Sequence, residues 1–255
     1  PNEIFNYTQT VNAFYLSSNI QLANDYSVLL GTRYELTNIK GDWSNSNKEE
    51  FSKNYDNILP NLTISKKIDA GKSIKLSFNT RISRPNSRYI NTNTNISDNK
   101  NITIGNPNLS PSTTKQIELG YNSFGRKYQG SYYIYYKQND DLIESLLTVQ
   151  NDTSITTYQN IGSSTTYGLN YYGSIKFKNL TLRSGINLYS YQSEDSRFAN
   201  EKRSAFLYSY NFGLSLKMKN NWKAEGFGFM MSPSQTLQGS STSFSMMSFG
   251  VKKEF

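Results

Sequence analysis

The chain has 255 residues, with 27 Lys+Arg against 19 Asp+Glu, a formal net charge of +8, and neither Cys nor His. Without Cys there are no disulfide frameworks, thiolate zinc sites, iron–sulfur clusters or thiol nucleophiles, and without His there are no Ser-His-Asp triads or imidazole-based metal hydrolysis. An aromatic content of 14%, with 20 Tyr and 14 Phe, is too high for a chain that avoids burial, so disorder is excluded as well.

Lys and Arg fall singly or in pairs such as Lys66-Lys67 and Lys252-Lys253. No run would neutralise a phosphate track, so no nucleic-acid partner is expected. The longest apolar runs, such as Val28-Leu29-Leu30 and Phe229-Met230-Met231, fall far short of the ~18 residues of a transmembrane helix. Pro1-Asn2-Glu3 has neither a basic n-region nor an apolar h-region, so the sequence reads as mature or as cut from something longer.

Period-two alternation dominates from one end to the other. Near residue 16 and over 26–36 the first strands are predicted, the second with Tyr26, Val28, Leu30, Tyr34 and Leu36 against Gly31, Arg33 and Glu35. A strand near 63 follows. Over 73–83, Ile74, Leu76, Phe78 and Ile82 alternate with small or charged residues. Residues 115–122 set Ile117, Leu119 and Tyr121 against Gln116, Glu118, Gly120 and Asn122. Near 134, Tyr132-Tyr133 and Tyr135-Tyr136 break the alternation, which suggests an aromatic girdle position. Strands follow over 167–177 and near 185. The clearest, 205–218, places Phe206, Tyr208, Tyr210, Phe212, Leu214, Leu216 and Met218 on one face. Two more centre near 226 and 248, giving roughly eleven. Several reach the ~9–11 residues that cross a bilayer at a tilt.

The connections alternate in length. Asn24-Asp25, Asp69 to Lys72, Gly125 to Lys127, Lys178-Asn179 and Lys219 to Asn221 are short and rich in turn-forming residues. Segments 44–56, 85–112, 139–160, 191–203 and 232–241 read as long polar loops. Strict alternation has no purpose in a soluble sandwich. It is the pattern of an all-β antiparallel transmembrane β-barrel, or part of one, with short periplasmic turns and long extracellular loops. Residues 1–255 are read as one such barrel segment in the cell outer membrane, with lipid as its first partner. The last strand then runs toward the periplasm and ends at Phe255, a residue suited to recognition by barrel-assembly machinery, although Lys253 interrupts the apolar face of Met247, Phe249 and Val251.

Residues 102–121, ITIGNPNLSPSTTKQIELGY, resemble the GNPxLxPExxxxxELGY segment of TonB-dependent outer-membrane receptors of the Bacteroidetes type. Four further segments agree in order: Asn12 to Tyr34 with the GxRYE strand pair, Ile58 to Leu62 (ILPNL) with FPSLN, Arg81 to Pro85 with RxSRP, and Tyr158 to Gly168 with NxGxxxxxG. Ser112 departs, standing where that family carries Glu. The resemblance implies the C-terminal half of a receptor barrel, energised uptake of a substrate too large or scarce for porins, and no enzymatic chemistry. It also implies a plug domain and the TonB complex as partners if the chain belongs to a longer one, with a surface lipoprotein as a further candidate. Neither plug nor TonB box is visible. A small closed pore or adhesin barrel without energised transport stays open as the alternative.

On the polar faces, Glu118 projects with Arg33, Glu35, Arg81 and Arg183 as lumen neighbours. A salt-bridge ladder that stiffens the wall or meets a plug is the plainer reading, and it covers Arg33, Glu35 and Arg183. Arg81, Arg84, Arg88, Tyr89 and Glu118 are the substrate-contact candidates, because strand ends and loops carry the binding groups of such barrels. Arg84-Pro85 also terminates a strand, since Pro donates nothing to a ladder. The loop acids Asp140, Asp141, Glu144 and Asp152 follow no Ca²⁺-loop spacing, so no metal and no cofactor is expected.

Overall fold

The computed structural model describes residues 4–44, 50–93, 95–98, 100–195, 197, 202–235 and 239–253. Among them the chain is a succession of antiparallel hairpins. The strands are β1 (Ile4–Gln21), β2 (Tyr26–Ser44), β3 (Phe51–Asp69), β4 (Lys72–Ser83), β5 (Asn95–Asp98), β6 (Asn101–Thr103), β7 (Ser112–Phe124), β8 (Tyr128–Gln150), β9 (Thr153–Phe177), β10 (Leu180–Asp195), β11 (Lys202–Lys217), β12 (Trp222–Met231) and β13 (Phe244–Lys253). A four-residue helix, α1 (Ser87–Ile90), interrupts the β4–β7 connection. Eleven strands form one meander in the order β1-β2-β3-β4-β7-β8-β9-β10-β11-β12-β13, with β5 and β6 off the path. Each predicted centre falls inside one of the eleven. The sheet is not closed: β1 pairs only with β2, and β13 only with β12. Phe255 lies outside the described residues.

Register explains the faces. One rung runs Ile20, Val28, Ile64, Leu76, Leu119, Ile134, Leu169, Leu188, Tyr208 across nine strands without a single polar residue. Large side chains on this face are left bare: Leu30 is 56% exposed, Ile134 62% and Phe206 67%. So much contiguous apolar surface is stable only against lipid.

The same rung measures the tilt. Its residue lies two positions before the first turn residue after β1 (Ile20 to Leu22), six after β7 (Leu119 to Gly125) and ten after β11 (Tyr208 to Met218). From β1 to β11 the turns therefore slip by about one residue per strand on average. A slip of about 3.3 Å for every ~4.8 Å of strand spacing is a tilt of about 35°, the inclination of an outer-membrane barrel.

Turn chemistry follows the residues. Asn24, Asp25, Asn220 and Asn221 all take positive φ, 56–61°, as tight hairpins require and as Asn and Asp tolerate.

Two sequence expectations are corrected. Segment 139–160 is not a loop: β8 and β9 continue through it to a two-residue turn at Asn151-Asp152, with register shifts around Leu142. The alternation persists there only weakly, because this hairpin stands beyond the pairing of both neighbours, β7 stopping at Asp140 and β10 at Gly162. The tyrosine doublets also have another cause. Tyr132 and Tyr136 join the lipid face, while Tyr133 and Tyr135 lie over Gly120 and Gly168 on the opposite one. A Cβ on Gly168 would fall 2.2 Å from the Tyr135 ring. The glycine leaves room for the ring, and the two hydroxyls donate to Asn122 and Asn187, each at 3.1 Å.

Candidate functional site

The concave face of β2 carries Arg33, Glu35, Thr37, Ile39 and Trp43, which alternation places on one side. Glu35 is 4% exposed. Its carboxylate accepts from Arg33 Nε on one oxygen and from Arg84 Nη2 on the other. Arg84 also reaches Thr37 Oγ1, at 3.3 Å from Nη2, and the Arg33 guanidinium lies over Tyr15 at 4.3 Å. A carboxylate so deeply buried needs both partners.

Arg84 opens the β4–β7 connection, and the ion group anchors it. The described residues of 84–111 then fold across the concave face as a shelf. Asn86 caps α1 by accepting from Arg88 N at 2.9 Å. Gly105 N donates to Asn91 O at 2.9 Å and Asn106 N to Tyr89 O at 2.6 Å. A Cβ on Gly105 would sit 2.3 Å from Asn91 O, so only glycine permits this approach.

On one side the shelf meets β3. Lys53 Nζ donates to Asn108 O at 2.7 Å, Leu109 O at 2.9 Å and Ser110 Oγ at 3.2 Å. On the other side it meets β9. Asn160 exchanges two bonds with Ser110, at 2.8 and 2.9 Å, and Asn106 Nδ2 donates to Tyr158 O at 2.8 Å. Tyr89 stacks on Tyr158 with 4.2 Å between centroids. β6 adds in parallel to the β9 edge that β10 leaves open. Between the shelf and β2 lies the deepest apolar burial among the described residues: Ile39, Ile90 and Leu109 are each 1% exposed.

The predicted residues separate into groups. Arg33, Glu35 and Arg84 come together. Arg88 is exposed and lines, with Asn91, Asn93, Thr103, Gly105 and Tyr158, a cavity of about 510 Å³ in the shelf. Tyr89 is spent on Tyr158. Arg81 is exposed on the concave face, opposite Thr114, and forms no ion pair among the described residues. Glu118 accepts from Gln116 at 3.2 Å and lies between Ser77 and Tyr135, apart from the arginines. Arg183 is far along the sheet, in a second concavity of about 500 Å³ with Tyr172, Glu225 and Phe227. Ser112, at the position of the missing glutamate, is buried at 8%. Sequence reasoning missed Lys53, Asn106, Tyr158 and Asn160. Asn106 and Asn160 stood inside recognised segments, whereas nothing local marks Lys53.

A tilted, lipid-banded antiparallel sheet with a polar concave face and a folded loop inside its long-loop end defines an outer-membrane barrel wall. The chain belongs to the outer membrane protein beta-barrel family, whose pattern matches residues 1–255. Its place is the outer membrane. No curated protein matches it in sequence. Among solved structures it is similar to the siderophore receptor PiuA from Acinetobacter baumannii, at a TM-score of 0.69 and 15% identity over 97% of this chain and 37% of that one. The ferric yersiniabactin uptake receptor FyuA from Yersinia pestis gives a TM-score of 0.68 at 13% identity, over 98% of this chain and 39% of that one. The FrpB iron transporter from Neisseria meningitidis gives 0.66 at 13% identity, covering 97% and 39%. The chain thus spans under two fifths of the length of these structures, and the likeness is one of fold.

Proposed function

We propose that this chain is part of the barrel wall of a TonB-dependent outer-membrane receptor, taking up a substrate too large or scarce for porins and performing no chemistry on it. The observation that carries the reading is the match itself: nearly all of this chain superposes on 37–39% of proteins described as uptake receptors or transporters. A second observation agrees. With eleven strands in a meander, β1 and β13 run in the same direction. Closing the sheet on itself would need a parallel seam, whereas barrels of this kind close antiparallel. The missing arc is the place for further strands and for a plug.

In this reading Arg88 and the shelf cavity meet substrate on the extracellular side, with Arg81 and Glu118 below it. Arg33, Glu35 and Arg84 hold the shelf, and with Arg183 they form wall that a plug would contact. A surface lipoprotein is a further partner of the extracellular rim.

The test begins with the native protein extracted from the outer membrane. Dividing 29.1 kDa by a coverage of 37–39% gives an expected mass of about 75–79 kDa. That protein is then expected to bind the periplasmic domain of TonB and to pass no steady ion current in planar bilayers. A mass near 29.1 kDa together with open-channel conductance would refute energised transport and leave a passive pore.

A further inference from the structure

The basic residues look scattered along the sequence, but the fold gathers them on one rim. The five short turns joining β1–β2, β3–β4, β7–β8, β9–β10 and β11–β12, taken with three residues on either side, hold nine Lys or Arg and two acids, Asp25 and Asp69. Nine less two is +7, against +8 for the whole chain. The rest of the molecule is close to neutral. β13 extends the rim with Lys252 and Lys253, opposite Lys223 and Trp222.

Backbone bonds press these charges together. Lys176 N donates to Lys127 O at 2.8 Å, and Lys217 N to Asn179 O at 2.9 Å, so neighbouring turn tips are locked side by side. Among the described residues of the rim, Asp69 lies 3.7 Å from Lys72, and Glu225 serves both Lys223 and Lys252. Arg126, Lys127, Lys178 and Lys219 are exposed and form no ion pair among the described residues. Like charges fixed so closely repel one another, and a layer of anions offsets that repulsion.

Two cations turn outward onto the lipid face itself. Lys66 Nζ lies 4.7 Å from the Tyr26 ring centre, and Lys253 Nζ 5.8 Å from that of Trp222. Phe177, 59% exposed, and Met218, 40% exposed, stand on the same border. An ammonium held over an aromatic ring at the edge of an apolar band sits at headgroup depth, its stem in the acyl region and its charge at the phosphates.

We propose that the short-turn rim binds anionic phospholipid headgroups of the periplasmic leaflet, with Lys66 and Lys253 contacting phosphates from the lipid face and the four unpaired turn cations completing the collar. The arrangement explains why the net charge is concentrated at this end, and it accounts for Lys253 on an otherwise apolar face. The proposal does not depend on transport.

The experiment uses the native protein in mixed micelles containing equal phosphatidylglycerol and phosphatidylcholine, with retained lipids counted by native mass spectrometry. The wild type is expected to retain about threefold or more phosphatidylglycerol over phosphatidylcholine, declining with added salt. Combining Arg126→Gln, Lys127→Gln, Lys178→Gln and Lys219→Gln should bring the ratio near parity. Lys100→Gln with Lys202→Gln, at the opposite end, should leave it unchanged. Heat-modifiable gel migration verifies that each variant is folded. Equal retention of the two lipids by the wild type overturns the proposal. So does an undiminished preference in the fourfold variant, or a fourfold variant that loses binding to purified peptidoglycan while keeping its lipid preference, which would assign the rim to the cell wall.

Discussion

Glu35→Gln isolates the hold on the shelf. The substitution keeps the side-chain volume and removes the one negative charge between Arg33 and Arg84. Glu35 is 5% exposed at its side chain, Arg33 30% and Arg84 21%. Removing one partner of a buried ion group costs about 3–5 kcal/mol. Because both guanidinium groups retain some water, the lower end, about 3 kcal/mol, is the expected loss. At about 1.4 kcal/mol per tenfold, the undocked population of the shelf rises by more than a hundredfold. Lys53 and Asn160 still hold its far end, so the barrel stays folded. Trypsin reads the difference, because Arg88 and Lys100 both lie in the shelf and cleavage follows the open population when closing is fast. Arg84→Gln should accelerate the same cuts, and the double variant should fall short of the product of the two effects, as coupled partners do. Cleavage in Glu35→Gln within about twofold of wild type would refute the reasoning, since it would correspond to less than about 0.5 kcal/mol.

The other predictions probe the shelf and the wall separately. Gly168→Ala drives a methyl group into the Tyr135 ring and should cost about 1–3 kcal/mol in urea unfolding from lipid vesicles, with Tyr135→Ser in the same chain restoring most of it. Leu109→Ala should cost about 2–5 kcal/mol by the same measurement, because the site is sealed and cannot collapse freely. Lys53→Met withdraws a charged donor from two carbonyls and a hydroxyl. It should raise hydrogen exchange over residues 106–110 by an amount equivalent to about 1–3 kcal/mol. At the end of β10, Asp195 accepts from Arg197 Nη2 at 2.6 Å, and that bond holds its carboxyl below the ordinary carboxylate range. A folded-state value below the unfolded one stabilises above the unfolded pKa of about 3.9 and is lost as pH falls through the folded value. The stability that this pair contributes, read by urea unfolding, should therefore be full at neutral pH and fall only in strong acid, and Arg197→Gln should remove that acid dependence.

The wall was readable because a barrel strand is a local pattern. Phe206 to Met218 announces itself by period two alone, and Asn24-Asp25 or Asn220-Asn221 announces a tight turn by residue type. Where reading failed, the cause was non-local. The tyrosine doublets of β8 made sense only with Gly120 and Gly168 on the neighbouring strands. The β8–β9 hairpin carries only a weak alternation because it stands beyond the pairing of β7 and β10, and only the short parallel β6 adds to its β9 edge. Lys53 looks like any surface lysine until the shelf supplies its three acceptors. The basic rim is the extreme case. Four of the five turns contribute two or three cations each, unremarkable in sequence, and the meander alone brings them to one edge.

The five segments that carried the resemblance touch one another, which bears on what their shared residues are for. Glu35 of the second strand holds Arg84 of the RISRP segment. Gly31 leaves room for Asn61 of ILPNL, where a Cβ would sit 2.9 Å from the amide nitrogen. Ser110 of the GNPNLSP segment exchanges bonds with Asn160 of YQNIG. A pattern of this kind builds the shelf and fixes it to β2, β3 and β9. In the proposed uptake reading, such residues position a ligand, and selection is assigned to the cavity residues outside the pattern, Arg88, Asn91 and Asn93. The two classes should separate by experiment. Arg88→Ala touches no packed contact and should change stability by less than about 0.5 kcal/mol while altering substrate uptake. Asn160→Ala should loosen the shelf and depress uptake of every substrate alike. If instead Arg88→Ala destabilises the wall as Asn160→Ala does, Arg88 belongs to the frame and the selective surface lies elsewhere.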